Sequence, residues 1–306
     1  MAGVSFSPAK DIPNLSGKVI LITGGTAGLG AAAAIHLAKH SPAHIYISGR
    51  NAKSADAVIQ QAQKAGTKVS FLACDLASLD SVKKAADTIL AQESRLDLLM
   101  CNAGIMAVPP GKTKDGYEVQ FGTNHLGHAL LIQKCLPLLQ RTAALPEADV
   151  RVVILTSLGF RMHPSAGIVF SDLKSEQNFS AFGGWIRYGQ SKLANILYAR
   201  ELARRYPSIT SVSVHPGVVG TGLVENLGWA NRAFVYVTNM GKLMKPEEGA
   251  YNQLWASTTP KENLKNGQFY EPVGILSSKL DKVSKDDALA KQLWEWTDKA
   301  LADYVH

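Results

Sequence analysis

Val19-Ile20-Leu21-Ile22-Thr23 runs into Gly24-Gly25-Thr26-Ala27-Gly28-Leu29-Gly30 and then into Ala31-Ala32-Ala33-Ala34-Ile35-His36-Leu37-Ala38. The opening is a short, continuous apolar run. That pattern suits a strand covered on both faces of a parallel sheet. The alanine-rich stretch reads as a helix, so the order is strand, glycine-rich turn, helix. Such a turn presents backbone N–H groups at a helix N-terminus, where they can bind a pyrophosphate. Glycines let the backbone approach the ligand, and alanines let helix and sheet pack closely. The spacing is Gly24-x-x-x-Gly28-x-Gly30 rather than G-x-G-x-x-G. An ordinary glycine-rich turn is the plain alternative, but it does not explain the strand and helix on either side.

A second strand, His44-Ile45-Tyr46-Ile47-Ser48, ends in Gly49-Arg50. Arg50 follows Gly30 by 20 residues, where a dinucleotide fold places its ribose-reading group. A carboxylate there would accept from a ribose 2′-hydroxyl. An Arg fits a 2′-phosphate, so the coenzyme expected is NADP(H). A solvated Arg at a strand end is the alternative.

The alternation continues along the chain. Helix is expected over Asn51–Ala65, strand over Lys68–Ala73 ending at Cys74-Asp75-Leu76, and helix over Ser78–Gln92 with Ser78 as N-cap. A strand at Leu96–Met100 closes on Cys101-Asn102-Ala103-Gly104. Tyr117–Leu139 reads as helix, with Pro137 bending or breaking its end. Strands at 152–155 and 211–214 end at Thr156-Ser157 and His215-Pro216-Gly217. Repeated βα units imply an α/β fold with a doubly wound parallel sheet, and ligands in such sheets sit beyond the strands' carboxyl ends. Each polar or glycine-rich cluster falls at one of those ends.

Tyr188-Gly189-Gln190-Ser191-Lys192 opens another helical stretch and sets a Tyr and a Lys four positions apart. Residues i and i+4 share a helix face, so the ammonium can sit beneath the phenol. A phenol of pKa ~10 needs a shift of about three units, roughly 4 kcal/mol, to act near neutrality. A cation about 4 Å away, at an effective dielectric of about 20, supplies that much. Alone, Tyr-x-x-x-Lys is equally a core Tyr beside a solvated Lys.

Two segments interrupt the rhythm, 158–187 and 221–245. The first carries Phe160, Met162, Phe179, Phe182 and Trp185; the second carries Trp229, Phe234, Tyr236, Met240 and Met244. They read either as packed surface helices or as a substrate pocket and its lid at 221–245. No linker or repeat divides the 306 residues, so one domain is expected, with a loose N-terminal arm up to about residue 14–17. The formal charge is +7, but Lys and Arg are dispersed with no run of five, which argues against a nucleic-acid site. No secretory leader or transmembrane segment is visible, so a cytoplasmic protein is expected. Cys74, Cys101 and Cys135 lack metal-ligand spacing and read as buried reduced thiols. No metal is implied.

From about Leu15 onward these residues together resemble the short-chain dehydrogenase/reductase family. Thr23-Gly24-x-x-x-Gly28-Leu29-Gly30 is similar to its cofactor turn, Asn102-Ala103-Gly104 to its central-strand motif, and Pro216-Gly217 with Thr221 to its nicotinamide-side loop. Tyr188-x-x-x-Lys192 with Ser157 and Asn124 resembles its catalytic set. Phe121-Gly122-Thr123-Asn124-His125-Leu126-Gly127-His128, Tyr188 to Leu197, and His215-Pro216-Gly217-Val218-Val219 are similar to retinol-dehydrogenase-like and protochlorophyllide-reductase-like members. Two departures stand out. Cys101 occupies a position that is often Asn in the family, and the Ser157-to-Tyr188 separation is long. Such inserts occur in monomeric relatives, because the Tyr helix usually builds a dimer face; monomer and homodimer both stay open.

The resemblance implies cofactor contacts at Gly24, Thr26, Ala27, Gly28, Leu29, Gly30, Arg50, Asp75, Leu76, Asn102, Ala103, Gly104, Tyr188, Lys192, Pro216, Gly217, Val219 and Thr221. It implies reversible hydride transfer between NADPH and a carbonyl carbon. Tyr188 is the expected proton donor and Ser157 the expected carbonyl partner. Lys192 is expected to lower the Tyr188 pKa and hold the ribose, and Asn124 to hold a proton-relaying water. The small-molecule carbonyl or alcohol is expected to be bulky and apolar. The rivals are a non-catalytic NADPH-binding scaffold on the same fold and a sugar-nucleotide epimerase, which spaces its glycines differently.

Overall fold

Alternate residues of β1 (Val19–Thr23) face opposite ways. Val19 and Leu21 join one apolar core, Ile20 and Ile22 the other. Both faces of the strand are covered, and so its sequence is apolar without alternation. The computed structural model describes residues 3–179, 182–220, 222–225, 227–238 and 243–305. Thr221 and Met240 lie outside the described residues, and the Phe234 side chain is likewise not described.

The chain continues through α1 (Gly28–Ala38), β2 (His44–Gly49), α2 (Ala52–Gln63), β3 (Val69–Ala73), α3 (Leu79–Gln92) and β4 (Leu98–Cys101). A short turn of helix at Val119–Phe121 and a π-helical turn at Gly122–Leu126 lead into α4 (Gly127–Ala143). There follow β5 (Arg151–Leu155), α5 (Gly183–Arg205), β6 (Thr210–Val214), α6 (Trp229–Thr238), α7 (Tyr251–Thr258), β7 (Phe269–Glu271), β8 (Ile275–Leu276) and α8 (Asp287–Val305). The strands form one eight-stranded sheet ordered β3-β2-β1-β4-β5-β6-β7-β8, parallel except for β8 against β7. This is the doubly wound α/β fold. One core joins the sheet to α3, α4, α5 and α8; the other joins it to α1, α2 and α7. Chain direction across the sheet reverses between β1 and β4, which opens a crevice at their carboxyl ends.

Several expectations need correction. The N-terminal segment is not loose from residue 3 onward. Pro8–Asp11 is a helical turn, Ile12 and Leu15 are buried in the core, and the Val4 N–H donates to the Val273 carbonyl at 2.8 Å. Pro137 does not end its helix, which runs on to Ala143. Pro137 itself is exposed while Leu136, Leu138 and Leu139 are buried, so packing of one face carries the helix past the missing N–H. Helix α8 meets other helical segments through Trp294 and Trp296. Trp294 stacks on Tyr198 of α5 at 4.8 Å, and Trp296 meets Phe121 edge-on at 5.8 Å. Strands β7 and β8, of three and two residues, carried no readable period.

Candidate active site

The glycine-rich turn leaves β1 and enters α1 at the crevice. Ala27 gives α1 no side-chain cap, so its opening N–H groups have no side-chain partner. They suit an anion. Gly30 is required by close approach: a Cβ there would lie 2.4 Å from the Gly24 carbonyl oxygen and 2.6 Å from Asn102 Nδ2. Asn102 Nδ2 donates to the Thr23 carbonyl at 2.9 Å, tying the turn to the end of β4. These features fit a dinucleotide pyrophosphate.

A directed chain of hydrogen bonds fixes this corner. His128 Nδ1 faces the Asn124 carbonyl at 2.9 Å, and His128 Nε2 faces Thr23 Oγ1 at 2.8 Å. A carbonyl only accepts, so Nδ1 carries the proton and Nε2 accepts from the Thr23 hydroxyl. Thr23 Oγ1 in turn accepts from the N–H groups of Asn102 (2.9 Å) and Ala103 (3.0 Å). Burial, with a smaller contribution from the Lys192 charge, pushes His128 down to about 4, which keeps it neutral. The chain thus joins the cofactor turn, the Asn102–Gly104 strand end and Asn124.

Asn124 sits in the π-helical turn, a local geometry that recurs at functional sites. Its side chain is fully engaged. Oδ1 accepts from the Ile105 N–H at 2.8 Å, while Nδ2 donates to the Ile105 carbonyl and to Ser191 Oγ, both at 2.9 Å. Gly104 is wedged between two expected site residues: a Cβ there would lie 3.1 Å from Asn124 Oδ1 and 3.4 Å from Lys192 Nζ.

Tyr188 and Lys192 lie on α5, 4% and 5% exposed. Lys192 Nζ stands 5.8 Å from the centre of the Tyr188 ring and donates to the Leu155 carbonyl at 3.1 Å. The two side chains therefore stand on one face of α5, as their spacing predicts. Burial pushes the Tyr188 phenol up to about 12, opposed by a hydrogen bond with Ser157. Burial also pushes Lys192 down to about 8. Desolvation is the leading cause of both shifts. Ser157 Oγ accepts from the Gly159 N–H at 3.0 Å.

A cavity of about 380 Å³ brings Leu29, Ser157, Tyr188, Pro216, Gly217 and Val219 together. Asn124 and Lys192 are not in its wall; they stand behind Gly104. Arg50 is exposed at the end of β2, and Gly49 beside it packs on Thr26. Asp75 follows β3, with its N–H donating to Ser81 Oγ at 2.9 Å, and Leu76 is buried in the core. Thr23, His128, Met106 and His215 escaped the sequence reading as site residues. His215 and Met106 line the cavity, His215 directly preceding Pro216-Gly217. A position at a strand's carboxyl end was the available signal for Thr23 and His215. His128 closes the Phe121–His128 stretch, which was its signal; for Met106 there was none.

A family profile described as short chain dehydrogenase matches residues 18–171. An uncharacterized oxidoreductase of Schizosaccharomyces pombe is 39% identical, covering 96% of this chain and 88% of its own length. A human protein named polyprenol dehydrogenase is 33% identical, covering 94% of this chain and 84% of its own length. A crystal structure of an uncharacterized protein from Mycobacterium paratuberculosis superposes with a TM-score of 0.75 at 28% identity, covering 98% of both chains. The chain belongs to the short-chain dehydrogenase/reductase family of oxidoreductases.

Proposed function

We propose that this protein is an NADP(H)-dependent oxidoreductase that interconverts a carbonyl and an alcohol on a bulky, apolar substrate. The observation that carries this reading is the apolar cavity where Ser157 and Tyr188 meet the loop after β6 and Leu29. The coenzyme, when bound, supplies or accepts the hydride. Tyr188 protonates the developing alkoxide, and takes the proton back in the oxidation direction. The Ser157 hydroxyl donates to the substrate oxygen. Lys192 contributes a buried positive charge behind the phenol. Asn124 holds the Ile105 loop against α5 through its side chain, and the proton-relaying water is assigned to its neighbourhood.

Arg50 supports the choice of NADP(H), since an exposed guanidinium at the end of β2 suits a 2′-phosphate. The named substrate class of the human relative supports an apolar alcohol. The outer face of α5 is covered by α8, which supports a monomer, and three unpaired, buried cysteines support a reducing, cytoplasmic setting. The test is turnover of a carbonyl panel with NADPH, read by absorbance, for the natural protein and Tyr188→Phe. The variant is expected to bind NADPH and turn over nothing. Turnover by the variant refutes the role of Tyr188. Coenzyme binding without turnover of any carbonyl or alcohol by the natural protein favours the scaffold reading.

A further inference from the structure

A second cavity, of about 460 Å³, lies against the first. Its wall comes from the 106–110 loop, the opening turn of α5 and the turn before α6. Met106 and Trp185 line both cavities, so together they are the partition between them. Beyond that partition stand Val108, Pro109, Phe179 and Leu227, with Phe182 64% exposed at the rim.

The Trp185 and Arg187 side chains of this outer wall are already engaged by the protein. Trp185 Nε1 donates to Asn231 Oδ1 at 3.0 Å, and Gln120 Nε2 donates to the Gly184 carbonyl at 2.8 Å. Arg187 is 1% exposed; Nη1 donates to the Gln177 carbonyl at 3.1 Å and Nη2 to the Val108 carbonyl at 2.8 Å. Its Nε stands 3.2 Å from Glu118 Oε1, which neutralises it. A cation matched in this way offers no site for an anionic ligand. The side-chain surface left for a ligand is apolar, although α5 opens into this wall without a side-chain cap.

We propose that the outer cavity is a subsite for an extended, uncharged apolar tail on the substrate. The reacting carbonyl sits at Tyr188 and Ser157, and the tail passes between Met106 and Trp185. This rests on the carbonyl-reduction reading above and adds to it a shape and a charge: elongated and neutral, neither compact nor terminated by a carboxylate or phosphate.

The test uses the full chain, NADPH and straight-chain aldehydes from butanal to dodecanal. Once the chain reaches past Trp185, kcat/KM is expected to rise by up to about fourfold per added methylene. Gly228 lines the outer cavity, and a Cβ there meets nothing within 4 Å, so Gly228→Phe fills the space without backbone strain. In that variant the dodecanal-to-butanal ratio is expected to collapse toward one. Leu227→Asp, which puts a charge in the same wall, should act alike and covers a failure of the first variant to fold. Calorimetric titration of 1-dodecanol and 1-butanol reads the subsite without turnover. Turnover of short aldehydes with no gain on lengthening overturns the inference and leaves the oxidoreductase reading intact. So does dodecanol binding no tighter than butanol. Dodecanol binding that Gly228→Phe weakens, with no aldehyde turned over, upholds the subsite and sinks the function instead.

Discussion

Glu118→Gln is expected to cost far more than a surface substitution, because of what it leaves behind. Glu118 and Arg187 are 0% and 1% exposed, with Oε1 and Nε 3.2 Å apart. At an effective dielectric of about 20, two charges at that distance attract by about 5 kcal/mol. Breaking a buried pair from one side costs about 3–5 kcal/mol, because the remaining charge stays buried and unmatched. An Arg cannot shed its proton to escape this. At ~2 cal/mol/K of unfolding entropy per residue, the loss corresponds to a melting temperature about 5–8 °C lower.

Arg187→Met separates this account from simple packing loss. Burial holds the Glu118 carboxyl above its ordinary pKa, against the pull of the Phe121 and Gln120 N–H groups and Arg187. Without Arg187 it rises further. A group whose folded pKa is raised contributes stability that is full below the unfolded value, ~4.3, and lost as pH rises through the folded one. Arg187→Met should therefore lose melting temperature relative to the natural protein between pH 5 and pH 8. The Glu118→Gln deficit, with no carboxyl to titrate, should lack that slope. Thermal unfolding followed by circular dichroism at the two pH values decides it. Parallel pH profiles for the two variants would refute the reasoning.

Three further outcomes are expected. Arg50→Asp should raise the dissociation constant for NADPH at least tenfold, about 1.4 kcal/mol, and that for NADH much less; fluorescence titration reads both, and equal changes reject the 2′-phosphate assignment. Gly30→Ala would press a methyl to 2.4 Å from the Gly24 carbonyl oxygen and should cost about 1–3 kcal/mol of stability and most of the coenzyme affinity; an unchanged melt and titration would contradict the packing. With Lys192 held near 8 by burial, kcat/KM for carbonyl reduction should fall as pH rises past that value. Lys192→Arg should remove the alkaline limb, because a guanidinium stays charged; a limb persisting at the same midpoint would assign it to another group.

The sheet was legible because its first strands are buried on both faces. Ile20 and Ile22 serve one core and Val19 and Leu21 the other, so burial wrote itself into the composition of β1. The glycine-rich turn was legible because close backbone approach at Gly30 excludes any side chain. Tyr188 and Lys192 were legible as neighbours because helical spacing alone puts them on one face. Three and two residues are too few to show a period, and so β7 and β8 were silent. Pro137 misled because its local cost was weighed without the buried leucines on either side.

The chain's local patterns thus determined the fold class, and they proposed a cofactor turn and a candidate acid with its lysine. Tertiary structure decided the rest: that burial sets the Tyr188 phenol near 12, that Asn124 is spoken for by Ile105 and Ser191, and that Met106 and Trp185 divide two cavities. The reason is physical. Periodicity and backbone sterics act between residues close in the chain, whereas desolvation, hydrogen-bond direction and cavity shape depend on which distant residues arrive at the same place.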